Sequence, residues 1–317
     1  MVVKMTKKIR FLWGWQGNSP DNYTKNLNHE NNAQISHHIY YGLRQRFENV
    51  VWGLDNYNED DIVITTFGLG DFQVNTSKMR NLIMVGNHCM YNGVWSVNNP
   101  WGGYCEFHTK EMIQAKFVIL KTNSVSLYKY ENSDPSIMDF KNFITKNHVN
   151  LILLPHPIDK KRFNREIFTP KNRNFLVLGG SSDNKRQHIF RSICNQYVVF
   201  TNAKWFIPKT YQQLIKKCSF VAHISKYEGF PYFGNESLCK GLLLFGGENW
   251  WDGYGHEELI WRENDEKGNK DKIKNILSGG VDSIYESVIS KHLNRTDNNW
   301  DYFVDILSDC IRKVDTA

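Results

Sequence analysis

The chain has 317 residues, of which 41% are hydrophobic and 23% charged, and its formal net charge is +6. This length is about twice that of a usual single domain and predicts two domains. A mean hydropathy of −0.52 without any long apolar run argues against stable membrane insertion, and a charge of +6 falls short of a nucleic-acid-binding stripe.

The six cysteines are scattered along the chain without a Cys-x-x-Cys pair, and several lie inside apolar runs. This pattern predicts buried free thiols in a reducing compartment rather than disulfides or a zinc site. His37 and His38 are neighbours on a predicted helix, but no third ligand follows them at suitable spacing, so we expect no metal. The N-terminal stretch lacks a signal-peptide core, and we therefore expect a cytoplasmic protein.

Apolar runs alternate with helix-length segments along the first half of the chain. The runs predict strands at residues 9–15, 50–55, 61–67, 79–88, 115–122 and 149–155, and helical spacing predicts helices at residues 33–47 and 136–147. Apolar runs without strict alternation are typical of a parallel sheet that is covered on both faces.

A polar, basic and proline-containing segment at residues 156–174 is the best linker candidate. After it, strands are predicted at residues 175–180, 197–201, 220–225 and 242–247, and helices at residues 185–196, at 208–218 and from about Glu236. Residues 250–272 are polar with aromatic residues that we expect to be exposed. Two weaker helical patterns at residues 284–293 and 300–314 close the chain.

This pattern predicts an α/β protein with two Rossmann-like, doubly wound domains that face each other across a cleft. The domains are expected at residues 1–165 and 166–317, and the last helix could pack back on the first domain. Ligands of such folds bind beyond the carboxyl ends of the strands.

Residues 225–247, SKYEGFPYFGNESLCKGLLLFGG, have the composition of a sugar-phosphate site. A glycine-containing turn before a helix start offers unpaired backbone N–H groups to a phosphate. Glu228 and Glu236 flank that turn, and carboxylates beside a phosphate site usually bind sugar hydroxyls. The alternative is an ordinary β–α turn with two surface glutamates.

A second turn, GGSSDNKRQ at residues 179–187, places Gly180, Ser181, Lys185 and Arg186 between a predicted strand and a helix. Small residues let the backbone approach an anion, and the two cations supply charge. The turn has neither the Gly-x-x-x-x-Gly-Lys-Ser/Thr pattern nor Gly-x-Gly-x-x-Gly, which argues against a phosphate-loop nucleotidase and against a nicotinamide or flavin site. A plain β–α turn is the alternative.

Three phrases in order resemble the second half of GT-B glycosyltransferases. They are LLPHPIDKKRF at residues 153–163, then GGSSDNKRQ, then SKYEGFPYFGNESLCKG with its Glu-x7-Glu motif. Between the last two, WFIPKTYQQLIKKCSF resembles the segment that leaves the nucleobase pocket. The resemblance covers roughly residues 150–247, whereas the first half resembles the family only in general pattern.

The resemblance implies a metal-independent hexosyl- or pentosyltransferase with a nucleotide-sugar donor (a UDP- or GDP-sugar) as co-substrate and no obligatory cofactor. Lys185 would neutralise the donor diphosphate beside Gly180 and Ser181. Glu236 would hold the donor ribose hydroxyls, and Glu228 would face the transferred sugar.

The resemblance also implies that Gly229 and Phe230 bring backbone N–H groups to the phosphates, and that Phe206 and Ile207 line the base pocket. One departure concerns charge: Gly180 stands where the family has an arginine. Arg186 is the candidate that replaces this missing cation.

An inverting enzyme needs a base in the first half to deprotonate the acceptor hydroxyl, whereas a retaining enzyme does not. Asp71 and His88 follow predicted strands and would point into the cleft, and Asp21 lies in the long first loop. Each could instead be a loop cap or a polar group at the edge of the core. Trp95, Trp101 and Tyr104 suit stacking on a sugar ring or plain packing.

We therefore expect a glycosyltransferase that moves a sugar from a nucleoside-diphosphate donor to a hydroxyl of a glycan. One alternative is a DNA glucosyltransferase of viral or phage type, which shares the fold and needs a basic groove for its nucleic acid. The other is a non-catalytic module that binds nucleotide sugars or glycans.

Overall fold

The computed structural model of the protein describes residues 2–13, 32–66, 78–87, 111–121, 142, 144–155, 157–160, 173–177, 190, 192, 198–200, 213–224, 232–247, 256–262 and 264–317. The chain forms two compact units, Met1–Pro157 with Asp297–Ala317, and Ile158–Thr296. The helices with described bounds are α1 (Asn32–Arg44), α2 (Tyr232–Lys240), α3 (Glu266–Ser278), α4 (Tyr285–Asn294) and α5 (Trp300–Asp315). Among the described residues, no helix combines the length and apolar character needed to cross a membrane.

The first unit contains a parallel sheet. Its described strands are β1 (Ile9–Trp13), β2 (Val50–Trp52), β3 (Ile62–Thr66), β4 (Asn81–Asn87), β5 (Phe117–Lys121) and β6 (Leu151–Leu154). They pair in the order β2-β1-β3-β4-β5-β6. Successive residues of β3, such as Ile62, Val63 and Ile64, are fully buried. Both faces of the sheet are therefore covered, which explains the unbroken apolar runs of the sequence.

Helices α1 and α5 contact each other in the first unit. The Asn299 side chain begins α5 by accepting a hydrogen bond from the Tyr302 N–H at 2.7 Å. The rings of His38 and Trp300 stack with centroids 4.7 Å apart. The buried residues of α5 recur at helical spacing and include Val304, Leu307 and Ile311, so α5 has one apolar face and covers its unit with it.

The second unit contains another parallel sheet. Its strands are β7 (Phe175–Val177), β8 (Val198–Phe200), β9 (Phe220–His223), β10 (Leu243–Gly247) and β11 (Ile260–Trp261). The order is β11-β10-β9-β7-β8. Counted from the first strand of each unit, both sheets follow the same doubly wound scheme, in which the first strand lies between the second and the third.

Aromatic rings dominate the core of the second unit. Phe175 lies 5.4 Å from Phe190, 5.2 Å from Phe220 and 6.4 Å from Phe245 between ring centroids. All four side chains are fully buried. Tilted and edge-to-face pairs at these distances add to the stabilisation that area burial alone provides.

The region after Trp250 differs from the sequence prediction of a polar connection with exposed aromatics. Trp261 is only 6% exposed, and α3 follows it. The Asn269 side chain accepts from the Arg262 N–H at 2.8 Å and donates to the Arg262 carbonyl at 2.6 Å. Asp265 caps the helix start, and Gly279 ends it in the left-handed conformation. Polar residues thus build this helix, and the apolar pattern did not reveal it.

Candidate donor-binding site

Strands β7, β9 and β10 end side by side at one edge of the second sheet. Val177 of β7 pairs with Ala222 of β9, and His223 pairs with Gly246 of β10, all in parallel register. The sheet order changes direction between β7 and β9, because β8 lies beyond β7 and β10 beyond β9. Ligands of doubly wound sheets bind at the carboxyl ends of the strands beside such a switch point.

In the sequence, both predicted phosphate turns come directly after strands that flank this switch point. The turn at residues 179–187 follows β7, and the turn that contains Glu228 follows β9. The two turns are more than 40 residues apart in the chain, yet they begin from neighbouring strands. The topology therefore brings the ends of the strands that precede the two motifs to the same edge.

Helix α2 follows the second turn and begins at Tyr232 rather than at Glu236. The prediction was wrong because Pro231 and Gly234 were assigned to the turn. Proline is common at helix starts, since its fixed φ suits the first turn and its missing N–H would have no helical partner there. Glu236 consequently lies in the second turn of α2, and the N–H groups of the first turn lie ahead of it.

Polar side chains of α2 are buried instead of facing solvent. Asn235 and Glu236 are each 2% exposed, Ser237 is fully buried, and Lys240 is 7% exposed. The interpretation of Glu236 as a surface glutamate is therefore wrong. Burial of charged and amide groups is costly unless partners compensate it, so an enclosed polar helix at a sheet edge is the kind of element that serves a site.

His292 of α4 supports α2 from the protein interior. Its Nε2 lies 3.5 Å from Cys239 Sγ, and both side chains are fully buried. Burial lowers the pKa of His292 to about 3, the nearby charges of Lys160 and Arg295 act in the same direction, and a hydrogen bond with the backbone of Asn235 acts against them. The imidazole is therefore neutral at physiological pH.

The segment around Lys160 holds the end of α4. Lys160 Nζ donates to the Leu293 carbonyl at 3.1 Å and also to the Arg295 carbonyl. Ile158 is 1% exposed and packs with Cys239 and Leu293. A cation at the last carbonyls of a helix stabilises its negative end. The start of the predicted linker is thus anchored to the second unit.

Glu236 is the one sequence-predicted site residue within the described part of the chain. The others lie outside it, and their roles stay predictions: Asp21, Asp71, His88, Gly180, Ser181, Lys185, Arg186, Phe206, Ile207, Glu228, Gly229 and Phe230. The stacking candidates Trp95, Trp101 and Tyr104 also lie outside it.

The predicted catalytic residues of the first half follow three adjacent strands. Asp21 follows β1, Asp71 follows β3 and His88 follows β4. Because β1 pairs with β3 and β3 with β4 in parallel, their carboxyl ends share one edge. The topology is compatible with all three candidates and does not choose among them.

His292 was not among the residues that the sequence indicated. Tyr285, Val288, Ile289 and His292 are the buried residues of α4, and they occupy positions i, i+3, i+4 and i+7. A histidine that continues an apolar stripe at this spacing is expected to be buried, so the pattern contained the information. The contact of this histidine with Cys239 could be identified only from the fold.

Metal ligands do not cluster in the described part of the chain, where no group of three or more His, Cys, Asp or Glu side chains could hold an ion. Its cysteines, Cys218, Cys239 and Cys310, are buried thiols, as the apolar runs around several cysteines predicted.

The chain has the GT-B fold of glycosyltransferases, with a Rossmann-like α/β sheet in each unit. The solved structures that match it include TarM, with a TM-score of 0.56 and 13% identity over 91% of this chain and 59% of that one. A UDP-forming trehalose-phosphate synthase from Burkholderia xenovorans matches with a TM-score of 0.53 and 10% identity over 91% of this chain and 81% of that one.

A further trehalose-6-phosphate synthase structure matches with a TM-score of 0.52 and 10% identity, over 97% of this chain and 94% of that one. The chain thus spans about three fifths of TarM and nearly all of this synthase. No protein-family model matches the sequence, and no curated protein matches it either. At these identities the structural likeness establishes the fold.

Proposed function

We propose that the protein is a glycosyltransferase that moves a sugar from a nucleoside-diphosphate sugar to a hydroxyl group of a glycan. The unit Ile158–Thr296 would bind the donor, and the first unit would bind the acceptor. The proposed donor is a UDP- or GDP-sugar, and the proposed reaction requires no metal ion. The trehalose-phosphate synthase from Burkholderia xenovorans is a UDP-forming enzyme, which makes UDP-sugars the first donors to test.

One observation carries the proposal: β7 and β9 are neighbours at the switch point of the second sheet. In the sequence, the segments that contain Lys185 and Glu228 come after those two strands, and Glu236 lies buried on the helix that follows the second segment. A diphosphate needs cations and backbone N–H groups, and a ribose needs a carboxylate that accepts from its hydroxyls. The two turns and α2 would supply these groups.

The proposed reaction depends on the orientation of the bound donor and on the exclusion of water. Lys185 and Arg186 would offset the charge that develops on the departing nucleoside diphosphate. Glu236 would fix the ribose, and Glu228 would face the sugar. One of Asp21, Asp71 or His88 would remove the acceptor proton if the enzyme inverts.

A thermal-shift screen of UDP, GDP and their sugars tests the donor site. Saturation at about 100 times Kd should stabilise the protein by about 2.7 kcal/mol. Glu236→Gln and Lys185→Ala should each reduce this stabilisation at the same nucleotide concentration. Glu266→Gln and Lys270→Ala are the matched controls, because these residues form an exposed ion pair on α3, and both should respond like the wild type.

Release of the nucleoside diphosphate, measured with and without candidate glycans, tests the transfer. Acceptor-dependent release that persists in EDTA supports a metal-independent transferase. Binding without any release would instead favour the non-catalytic module, and absence of binding by every nucleotide would contradict the proposal.

A further inference from the structure

The turn of α2 between Asn235 and Cys239 is held at both ends by one side chain. His292 hydrogen bonds the backbone of Asn235 and contacts the thiol of Cys239 at 3.5 Å. Glu236 lies between these two residues. A neutral imidazole has one donor and one acceptor, which is enough to serve a carbonyl and a thiol at once.

Helix α2 needs support from outside itself. It has only nine residues, and helices this short are marginal without tertiary contacts. Gly234 lies within it, and a glycine inside a helix costs about 1 kcal/mol relative to alanine. The direction in which Glu236 projects therefore depends on what α2 packs against.

Helix α4, which carries His292, is itself fixed in the second unit. Lys160 donates to two carbonyls at the end of α4. Tyr285, Val288 and Ile289 of α4 are buried in the core of the unit. The Tyr285 hydroxyl also donates to the Gly241 carbonyl, directly after α2.

We infer that His292 is a positioning residue for the donor site, which sets the orientation of Glu236 toward the ribose hydroxyls by holding the turn Asn235–Cys239. The inference rests on the proposed function, since it assigns the ribose to Glu236. An apolar side chain would fill the same space without the cost of burying an imidazole beside Lys160 and Arg295. What only the imidazole provides is the pair of polar contacts to α2.

Selectivity for the ribose hydroxyls tests the inference in a way that stability does not. The probes are UDP (or GDP, whichever binds the wild type better) and its 2′,3′-dideoxy analogue, with Kd measured by calorimetry. Hydrogen bonds from hydroxyls to a carboxylate should give the wild type a preference of about 10-fold or more for the natural nucleotide. Both His292→Leu and Glu236→Gln should reduce this preference to about 3-fold or less.

His292→Gln keeps polar groups near the same place and should restore part of the preference. Ile276→Ala is the matched control for destabilisation, because Ile276 is fully buried in the same core on α3. It should lower the melting temperature and keep the preference. If His292→Leu does not fold, Cys239→Ala removes the other partner of the contact and should weaken the preference.

Different results would overturn the proposed function and the role of His292. A wild-type protein that binds no nucleoside diphosphate overturns the proposed function. A preference that survives in His292→Leu, or in Cys239→Ala, but disappears in Glu236→Gln overturns only the role of His292. Equal loss in Ile276→Ala and His292→Leu would also overturn it, because general destabilisation would then explain the result.

Discussion

Arg10 and Asp61 form a buried ion pair in the first unit, with Nε 2.5 Å from Oδ2. The guanidinium also donates to the carbonyls of Gly53, Asp55 and Asn56. Arg10 belongs to β1, and Asp61 directly precedes β3. One arginine thus joins two neighbouring strands to the turn after β2.

Replacement of Asp61 by Asn should destabilise the protein by about 3–5 kcal/mol, because the charge of Arg10 would remain buried without its counterion. Urea denaturation measures the change. Glu59→Gln is the matched control in the same unit, since Glu59 pairs with Arg80 at an exposed position and should cost about 1 kcal/mol or less. Equal effects of the two variants would contradict the importance of burial.

His292 should make the protein less stable in acid. Its pKa is about 3 when folded and about 6.5 when unfolded, so the unfolded chain binds the additional proton between these values. The contribution to stability is complete above pH 6.5 and is lost as the pH falls toward 3. Between pH 6.5 and pH 5 the loss should be about 2 kcal/mol.

The measurement is the difference in unfolding free energy between the wild type and His292→Gln at each pH. Carboxylates titrate in both proteins and cancel in this difference. If the unfolding free energies of the wild type and the variant change in parallel from pH 7 to pH 5, the imidazole accepts its proton in the folded state, which would contradict the prediction.

Gly42 should tolerate no side chain while Val304 is present. A Cβ on Gly42 would lie 2.9 Å from Val304 Cγ2, and a β-branched side chain has little freedom to turn away. Gly42→Ala should therefore destabilise by about 1–3 kcal/mol, although alanine favours a helix over glycine. In the background of Val304→Ala, the same substitution should be neutral or stabilising, and chemical denaturation of the four proteins completes the cycle.

Cys218 and Cys310 should resist alkylation in the folded protein. Burial raises the pKa of Cys218 to about 12 and that of Cys310 to about 11, so the reactive thiolate is scarce at pH 8. Mass spectrometry after iodoacetamide treatment should find both modified only after addition of denaturant. Rapid labelling without denaturant would mean that these segments open readily.

The strands were predictable because burial on both faces of a sheet requires consecutive apolar residues, as at Ile62, Val63 and Ile64 of β3. Helix α3 was not predicted, because polar contacts fix its start: Asp265 caps it, and the Asn269 amide pairs with the backbone of Arg262. Such hydrogen bonds join groups that come together only after folding. The start of α2 was missed for a related reason: proline and glycine occur in turns and at helix ends alike.

The two proposed donor turns could be suggested from sequence because their motifs are local. The adjacency of the strands that precede these turns required the sheet order, which places β9 next to β7 although β8 comes between them in the chain. The contact between His292 and Cys239 spans 53 residues, and no local pattern encodes it.

The first unit closes with the last part of the chain. Helix α5 packs there, and Asp315 accepts hydrogen bonds from Thr6 and from the Lys7 N–H. The second unit, by contrast, is one continuous segment, Ile158–Thr296. During synthesis from the N-terminus, the second unit is therefore complete while the first still lacks its final helix, and domains generally fold as units. The half that carries the candidate donor site is expected to reach its native state on the ribosome first.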